Sequence, residues 1–284
     1  MNAAIRAWAL RKTFRVTRRR PGVLGGLRSI VNPVVREVIA VDGISLDIQR
    51  GEMVACLGPN GAGKSTTIKM LTGILVPSSG KAEVLGMEPH RRRRTVAQRI
   101  GVVFGQRTQL WWDLPLRDSF DLLRHIYRIP RKRFAHNLQE FTDLLQLEEF
   151  IDTPVRQLSL GQRMRGDLAA ALLHDPEVLY LDEPTIGLDV VAKHRVRSFV
   201  RELNQQRGVT VLLTTHDMAD VERLCSRLLI IDHGRLLYDG SVERMRQRAD
   251  ADNSLEDLMR QFYERTASEL LAEWEDGRVP VGLA

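Results

Sequence analysis

Residues 58–65, Gly58-Pro59-Asn60-Gly61-Ala62-Gly63-Lys64-Ser65, carry the spacing G-x-x-x-x-G-K-[ST]. Glycines at these positions let backbone N–H groups converge on a β-phosphate where side chains would obstruct, and a helix starting at the end of the loop adds the positive end of its dipole. In this pattern Lys64 reaches the β- and γ-phosphates, Ser65 ligates Mg2+ and Thr66 adds contacts to the α-phosphate. A second group, Asp182-Glu183, ends the apolar run Val178-Leu179-Tyr180-Leu181. Asp182 is placed to hold Mg2+ through water, and Glu183 to orient or deprotonate a water attacking the γ-phosphate. Alone, either segment could be a bland turn: a glycine-rich one with a chance lysine, or a solvated acidic one before Pro184. Together they specify the chemistry of a nucleoside triphosphate with Mg2+.

Such residues need a scaffold that delivers them to one edge. Residues 53–57 read as a short buried strand entering the glycine loop, and residues 66–75 have helical spacing. Strand, glycine loop and helix open a mononucleotide-binding α/β fold, in which ligands gather at the carboxyl ends of the strands. Further strands are expected over residues 5–17, 38–48, 81–85, 100–104, 178–181, 209–214, 228–231 and 235–238. Residues 18–26, rich in charge and breakers, read as a loop. Between about residues 116 and 171 the pattern turns helical, with helices over 119–127 and 133–147 and one from near Ser159, followed in the core by a helix over 190–206. The expected organisation is an α/β core over residues 1–240, a helical subdomain over about 107–172 inserted in it, and a helical tail over 241–284, centred on residues 254–274.

Hydrophobic content of 43% suits a protein that buries a substantial core. No apolar run is long enough to cross a bilayer, and basic residues break up the N-terminus before a secretory pattern develops, so the chain is expected in the cytoplasm. Cys56 and Cys225 lack metal-site spacing and read as packed, reduced thiols. A formal charge of +6 admits either nucleic acid or an anionic membrane face as partner.

The remaining motifs resemble the ATP-binding cassette of ABC transporters. Leu158-Ser159-Leu160-Gly161-Gln162 is similar to the family signature, with Leu160 in place of its first glycine. Gln106, after the run Val102-Val103-Phe104, resembles the Q-loop glutamine, Gly187-Leu188-Asp189 the D-loop, and His216 the switch histidine. Phe14 stands where the family places an aromatic residue that stacks on adenine. The resemblance covers roughly residues 5–240 in the family's order. It implies a P-loop cassette with a mainly parallel core sheet, an antiparallel β subdomain and the inserted helical subdomain. It further implies ATP and Mg2+ as ligands, with Glu183, His216, Lys64 and Gln106 catalytic and with Ser65, Gln106 and Asp182 around the metal. The phosphate loop, Thr66, Phe14 and, across a dimer interface, Ser159, Gly161, Gln162 and Asp189 bind ATP. Bland readings exist for each: Ser159 as a helix N-cap, His216 as a surface histidine, Phe14 as a core residue.

In the family the signature of one cassette closes over the ATP of another, so the resemblance implies pairing with a second copy or a related cassette. Residues 102–130, 158–165 and 182–191 are most similar to ATPases of ABC-2-type export systems, which work with separate multi-helix permeases at the cytoplasmic face of the membrane. Trp111 and Trp112 are either anchors for such a permease or packing within the helical subdomain. The basic loop of about residues 15–37 suits contact with headgroups or a partner, and equally a solvated loop. The rival is a soluble ATPase of the same family acting on nucleic acid or the ribosome. Against it, the chain has one glycine loop and one signature, and only 95 positions separate Lys64 from Ser159, with no sustained heptads.

Overall fold

In the computed structural model the described residues are 3–18, 34–105 and 107–247. Alternation of apolar and polar residues sets the first layer. Strand β1 (Ala3–Arg18) buries Ile5, Ala7 and Leu10, and β2 (Val34–Gln49) buries Ile44, Leu46 and Ile48. These two strands pair antiparallel, and β1 pairs on its other side with β4 (Ser79–Val84), giving a sheet of order β2-β1-β4. Pairing runs further than expected: Arg15 lies opposite Glu37 and ion-pairs with it at 3.1 Å. The basic loop expected over 15–37 is therefore paired strand at both ends, and its remainder, 19–33, lies outside the described residues.

The second sheet has the order β5-β6-β7-β3-β8-β9, formed by β3 (Met53–Leu57), β5 (Ile100–Phe104), β6 (Val178–Asp182), β7 (Thr210–Thr215), β8 (Arg227–Asp232) and β9 (Arg235–Ser241). All neighbours are parallel except β8 and β9, which are antiparallel. Every residue of β3 and β7 is buried, as continuous apolar runs covered on both faces require. Strand β3, which leads to the glycine loop, and β6, which ends in the acidic pair, are not neighbours; β7 lies between them.

Helix α1 (Lys64–Leu71) follows the loop, and the short α2 (Arg93–Ala97) precedes β5. Between β5 and β6 the chain forms α3 (Leu116–Tyr127), α4 (Arg131–Leu145) and α5 (Leu160–Leu172), the inserted helical region. Its core holds Phe120, Phe141 and Leu145, and α5 packs on β5, where Gly101 meets the carbonyl of Ala171 so closely that a Cβ there would lie 2.4 Å from that oxygen. The chain continues through α6 (Val190–Arg207), α7 (Met218–Leu224) and α8 (Val242–Gln247). Two short helices escape the periodicity argument. Of α2 only Val96 is buried, and seven-residue α7 is too short to repeat a face; Asp217 caps it, its side chain accepting from Ala219 N at 2.9 Å. Helix α8 precedes the expected tail helix, whose residues 254–274 lie outside the described residues. Among the described residues no helix is long and apolar enough to cross a membrane. Cys56 and Cys225 are buried free thiols, and burial pushes both pKa values up to about 12.

Candidate nucleotide site

Strand β3 ends at the sheet's carboxyl edge and releases the glycine loop. Gly63 sits at φ 104, and a Cβ there would lie 2.5 Å from the carbonyl oxygen of Ala40, so only glycine fits both the backbone and the space. Pro59, Asn60 and Gly61 form the exposed tip, whereas Gly58, Ala62 and Gly63 are buried and Thr66 is half-buried. Lys64 is 5% exposed, and its ammonium donates to Gly58 O at 2.6 Å and Pro59 O at 3.0 Å. The loop encloses a hollow of about 130 Å³ lined by residues 60–66 and Glu183. A cleft of about 440 Å³ shares Asn60, Ser65 and Glu183 with it and extends to Phe104, Arg107, Asp182 and Ile74.

The acidic pair enters from β6. Ser65 Oγ donates to Asp182 Oδ1 at 3.0 Å, and Thr214 Oγ1 donates to the same oxygen at 2.6 Å. Glu183 has a left-handed backbone, φ 55, which costs a non-glycine residue about 1–2 kcal/mol. Two bonds hold it there: its N–H donates to the carbonyl oxygen of Thr214 at 3.0 Å and to Thr214 Oγ1 at 3.1 Å. Close by, a Cβ on Gly105 would lie 2.3 Å from the carbonyl oxygen of Glu183. Glu183 Oε1 lies 3.9 Å from Lys64 Nζ and 3.6 Å from Nδ1 of the exposed His216. One carboxylate oxygen thus faces both the Lys64 ammonium and the His216 imidazole. The hydroxyl of Ser65 and the carboxylate of Asp182, already within hydrogen-bonding distance, are hard oxygen donors of the kind Mg2+ prefers, so the donor set fits that ion.

The signature residues lie elsewhere. Ser159 is the exposed N-cap of α5 in a reciprocal capping box: Gln162 N donates to Ser159 Oγ at 3.2 Å, and Ser159 N to Gln162 Oε1 at 2.9 Å. Leu160, the departure from the signature pattern, lies against the turn at Gly187, where a Cβ would meet it at 2.8 Å. Gly161 faces Ala192 at the start of α6, which Asp189 caps through a bond from Ala192 N at 2.8 Å. Next to Asp189, Val190 and Val191 are 84% and 61% exposed. None of Ser159, Gly161, Gln162 and Asp189 lines the hollow or the cleft. Phe14 is half-buried on β1 opposite Val38, with Lys12 Nζ 5.3 Å from its ring centroid, and is likewise not in the lining. Gln106 lies outside the described residues; its neighbours Gly105 and Arg107 line the cleft.

Three supporting features were not read from the sequence. Thr214 tethers both carboxylate residues; its place at the end of the strand beside β6 was the available signal. Fully buried Asp220 accepts from the hydroxyls of Thr185 and Thr215 and from the guanidinium of Arg197, tying the turn after Glu183 to the residue before His216. Asp167, on α5, accepts from Thr108 Oγ1 at 2.9 Å and Gln109 N at 3.0 Å, and its burial pushes its pKa up to about 6.

A glycine-loop lysine, a hydroxyl–carboxylate pair and a second carboxylate, assembled at the carboxyl edge of a parallel sheet, define a nucleoside triphosphatase of the α/β class. A family model described as ABC transporter matches residues 41–186. The ABC transporter ATP-binding protein NatA of Bacillus subtilis (strain 168) is 33% identical over 208 residues, 73% of this chain and 84% of that protein. The Nod factor export ATP-binding protein I of Burkholderia pseudomallei (strain K96243) is 41% identical over 203 residues, 72% of this chain; the match spans 66% of that relative, just under two thirds of its length. A solved structure of an ATP-binding subunit of an ABC transporter superposes with a TM-score of 0.74 at 25% identity, covering 91% of this chain and 98% of the other. The chain belongs to the ABC transporter family, as one of its ATP-hydrolysing cassettes.

Proposed function

We propose that this cassette powers an ABC-2-type exporter, with two cassettes closing on ATP beneath separate multi-helix permease subunits at the cytoplasmic face of the membrane. The observation that carries the dimer is the division of the site. Lys64, Ser65, Asp182 and Glu183 surround the hollow and cleft, while Ser159, Gly161, Gln162 and Asp189 sit outside both, beside the exposed Val190 and Val191. A helix N-terminus that can cap an anion, next to unpartnered valines, suits a facing copy that brings its own nucleotide. The names of the export-type relatives support the outward direction.

On ATP binding, Lys64 exchanges the carbonyls of Gly58 and Pro59 for phosphate oxygens, and the loop N–H groups hold the β-phosphate. Mg2+, held by Ser65 and Asp182 and, as the family resemblance implies, by Gln106, would neutralise charge on the β- and γ-phosphates. Glu183 accepts a proton from the attacking water, while Lys64 and His216 offset the negative charge that develops. Ser159, Gly161, Gln162 and Asp189 of the facing copy complete the site, and Phe14 stacks on adenine. Glu183→Gln is expected to lower turnover by at least about a hundredfold and to give a stable ATP-bound dimer in light scattering. Wild-type turnover in that variant would refute the assignment of the base; a monomer at saturating ATP would refute the divided site. Purification from detergent-solubilised membranes should recover a multi-span hydrophobic protein, whereas recovery with nucleic acid alone would favour the rival reading.

A further inference from the structure

Away from the nucleotide site, a strongly charged surface lacks compensating partners. Arg91, Arg92, Arg93 and Arg94, between β4 and β5, are all exposed. Glu88 holds Arg91 at 2.8 Å, but among the described residues Arg92, Arg93 and Arg94 have no ion pair. The run does little for the fold. Helix α2 buries only Val96, and Arg92 and Arg93 at its amino end oppose the helix dipole. An aromatic residue is joined to this run by a chain of contacts. Trp8 on β1 is 43% exposed, Lys81 Nζ lies 5.5 Å from its ring centroid, and Lys81 approaches Glu88 at 3.8 Å. The end of α1 joins the same rim. Gly73 packs so closely on Pro89 that a Cβ would lie 2.6 Å from its carbonyl oxygen, and Val76 just beyond is 45% exposed.

We infer that this rim docks directly on anionic phospholipid headgroups, independently of any permease. Guanidinium groups match phosphate geometry with paired N–H donors, and a row of them engages many separate headgroups. Arg91–Arg94 line neither the nucleotide hollow nor the adjoining cleft, so they present a surface rather than a socket for one ligand. An exposed indole beside a lysine suits the boundary between headgroups and acyl chains. Nucleic acid is the poorer match, since stacking of successive bases needs aromatic side chains among the basic ones, whereas residues 88–99 contain no Phe, Tyr or Trp and Trp8 joins the run only through Lys81 and Glu88.

The test is flotation of the full chain with vesicles of phosphatidylcholine alone or mixed with phosphatidylglycerol. The wild type should bind the mixed vesicles, release as salt is raised, and largely ignore the neutral ones. Removing three cations, in the triple variant Arg92→Gln, Arg93→Gln and Arg94→Gln, should weaken that binding on the order of a hundredfold, about fivefold per arginine. Unchanged ATPase activity will show that the variant is folded. Equal wild-type binding to neutral vesicles, or unchanged binding by the triple variant, overturns the inference. So does a variant that keeps vesicle binding while losing affinity for a single-stranded oligonucleotide, which would assign the rim to nucleic acid.

Discussion

Arg197→Met tests whether the buried cluster around Asp220 holds the catalytic edge in place. Asp220 is fully buried, and Arg197 supplies its only opposite charge among the described residues, while Thr185 and Thr215 donate hydroxyls. Removing one partner of a buried pair costs about 3–5 kcal/mol, because the remaining charge stays desolvated. The two surviving hydroxyl bonds place this site near the lower end, about 3 kcal/mol. The second bond of Arg197, to the partly exposed Asp217 at 3.2 Å, adds little. At roughly 2–4 °C per kcal/mol for a chain of this size, the midpoint should fall by about 6–12 °C in calorimetry. Asp220→Leu combined with Arg197→Met removes both charges and should recover part of the loss. It strips the buried Thr185 hydroxyl of its acceptor, at about 1 kcal/mol or more, while the Thr215 hydroxyl keeps the bond it accepts from Asp217 N at 3.0 Å. Turnover should fall more than ATP affinity, since the cluster braces Glu183 and His216 and does not touch the glycine loop. A single variant that loses less than about 1 kcal/mol would refute the account, as would a double variant no more stable than the single one.

Two further substitutions probe neighbouring features. Gly105→Ala places a Cβ 2.3 Å from the carbonyl oxygen of Glu183, and the backbone there must shift. Steady-state kinetics should show kcat falling at least about tenfold, the effect of a displaced catalytic group, with KM for ATP little changed; an unchanged kcat would refute the link. Asp167 titrates at about 6 in the folded chain against 3.8 as its ordinary value, so in between the folded state holds a proton that the unfolded state lacks. Stability from this group is therefore present at low pH and lost as pH rises through about 6. Urea denaturation should show the wild type losing about 1 kcal/mol more than Asp167→Asn between about pH 5 and pH 7; parallel pH profiles would contradict this.

The fold and the chemistry were legible to different degrees. Gly58–Ser65 and Asp182-Glu183 are contiguous, and their spacing is itself the mechanism, so sequence suffices for them. The strands were legible because runs such as residues 53–57 and 178–181 are buried on both faces. The cluster of Asp220, Thr185, Thr215 and Arg197 has no local signature, since it joins residues up to 35 positions apart through side chains alone. The same holds for Thr214, which reads as one more strand residue until β7 is set between β3 and β6. Helices α2 and α7 fall below the length at which a repeat is visible. The extension of the β1–β2 ribbon into basic residues follows from cross-strand pairs such as Arg15 with Glu37, which composition reads as loop.

The position of β3 also has a consequence for synthesis. Both of its neighbours, β7 and β8, begin after residue 209, more than 150 positions downstream of the strand that carries the glycine loop. At roughly 5–20 residues per second, about eight to thirty seconds separate translation of that strand from translation of β7. During this interval an apolar five-residue segment has no edge to pair with, while the β1–β2 hairpin and the helical insertion can form from sequence already made. The nascent chain thus acquires its capacity for nucleotide late, and a ribosome stalled before residue 210 would present an unpaired β3 to chaperones.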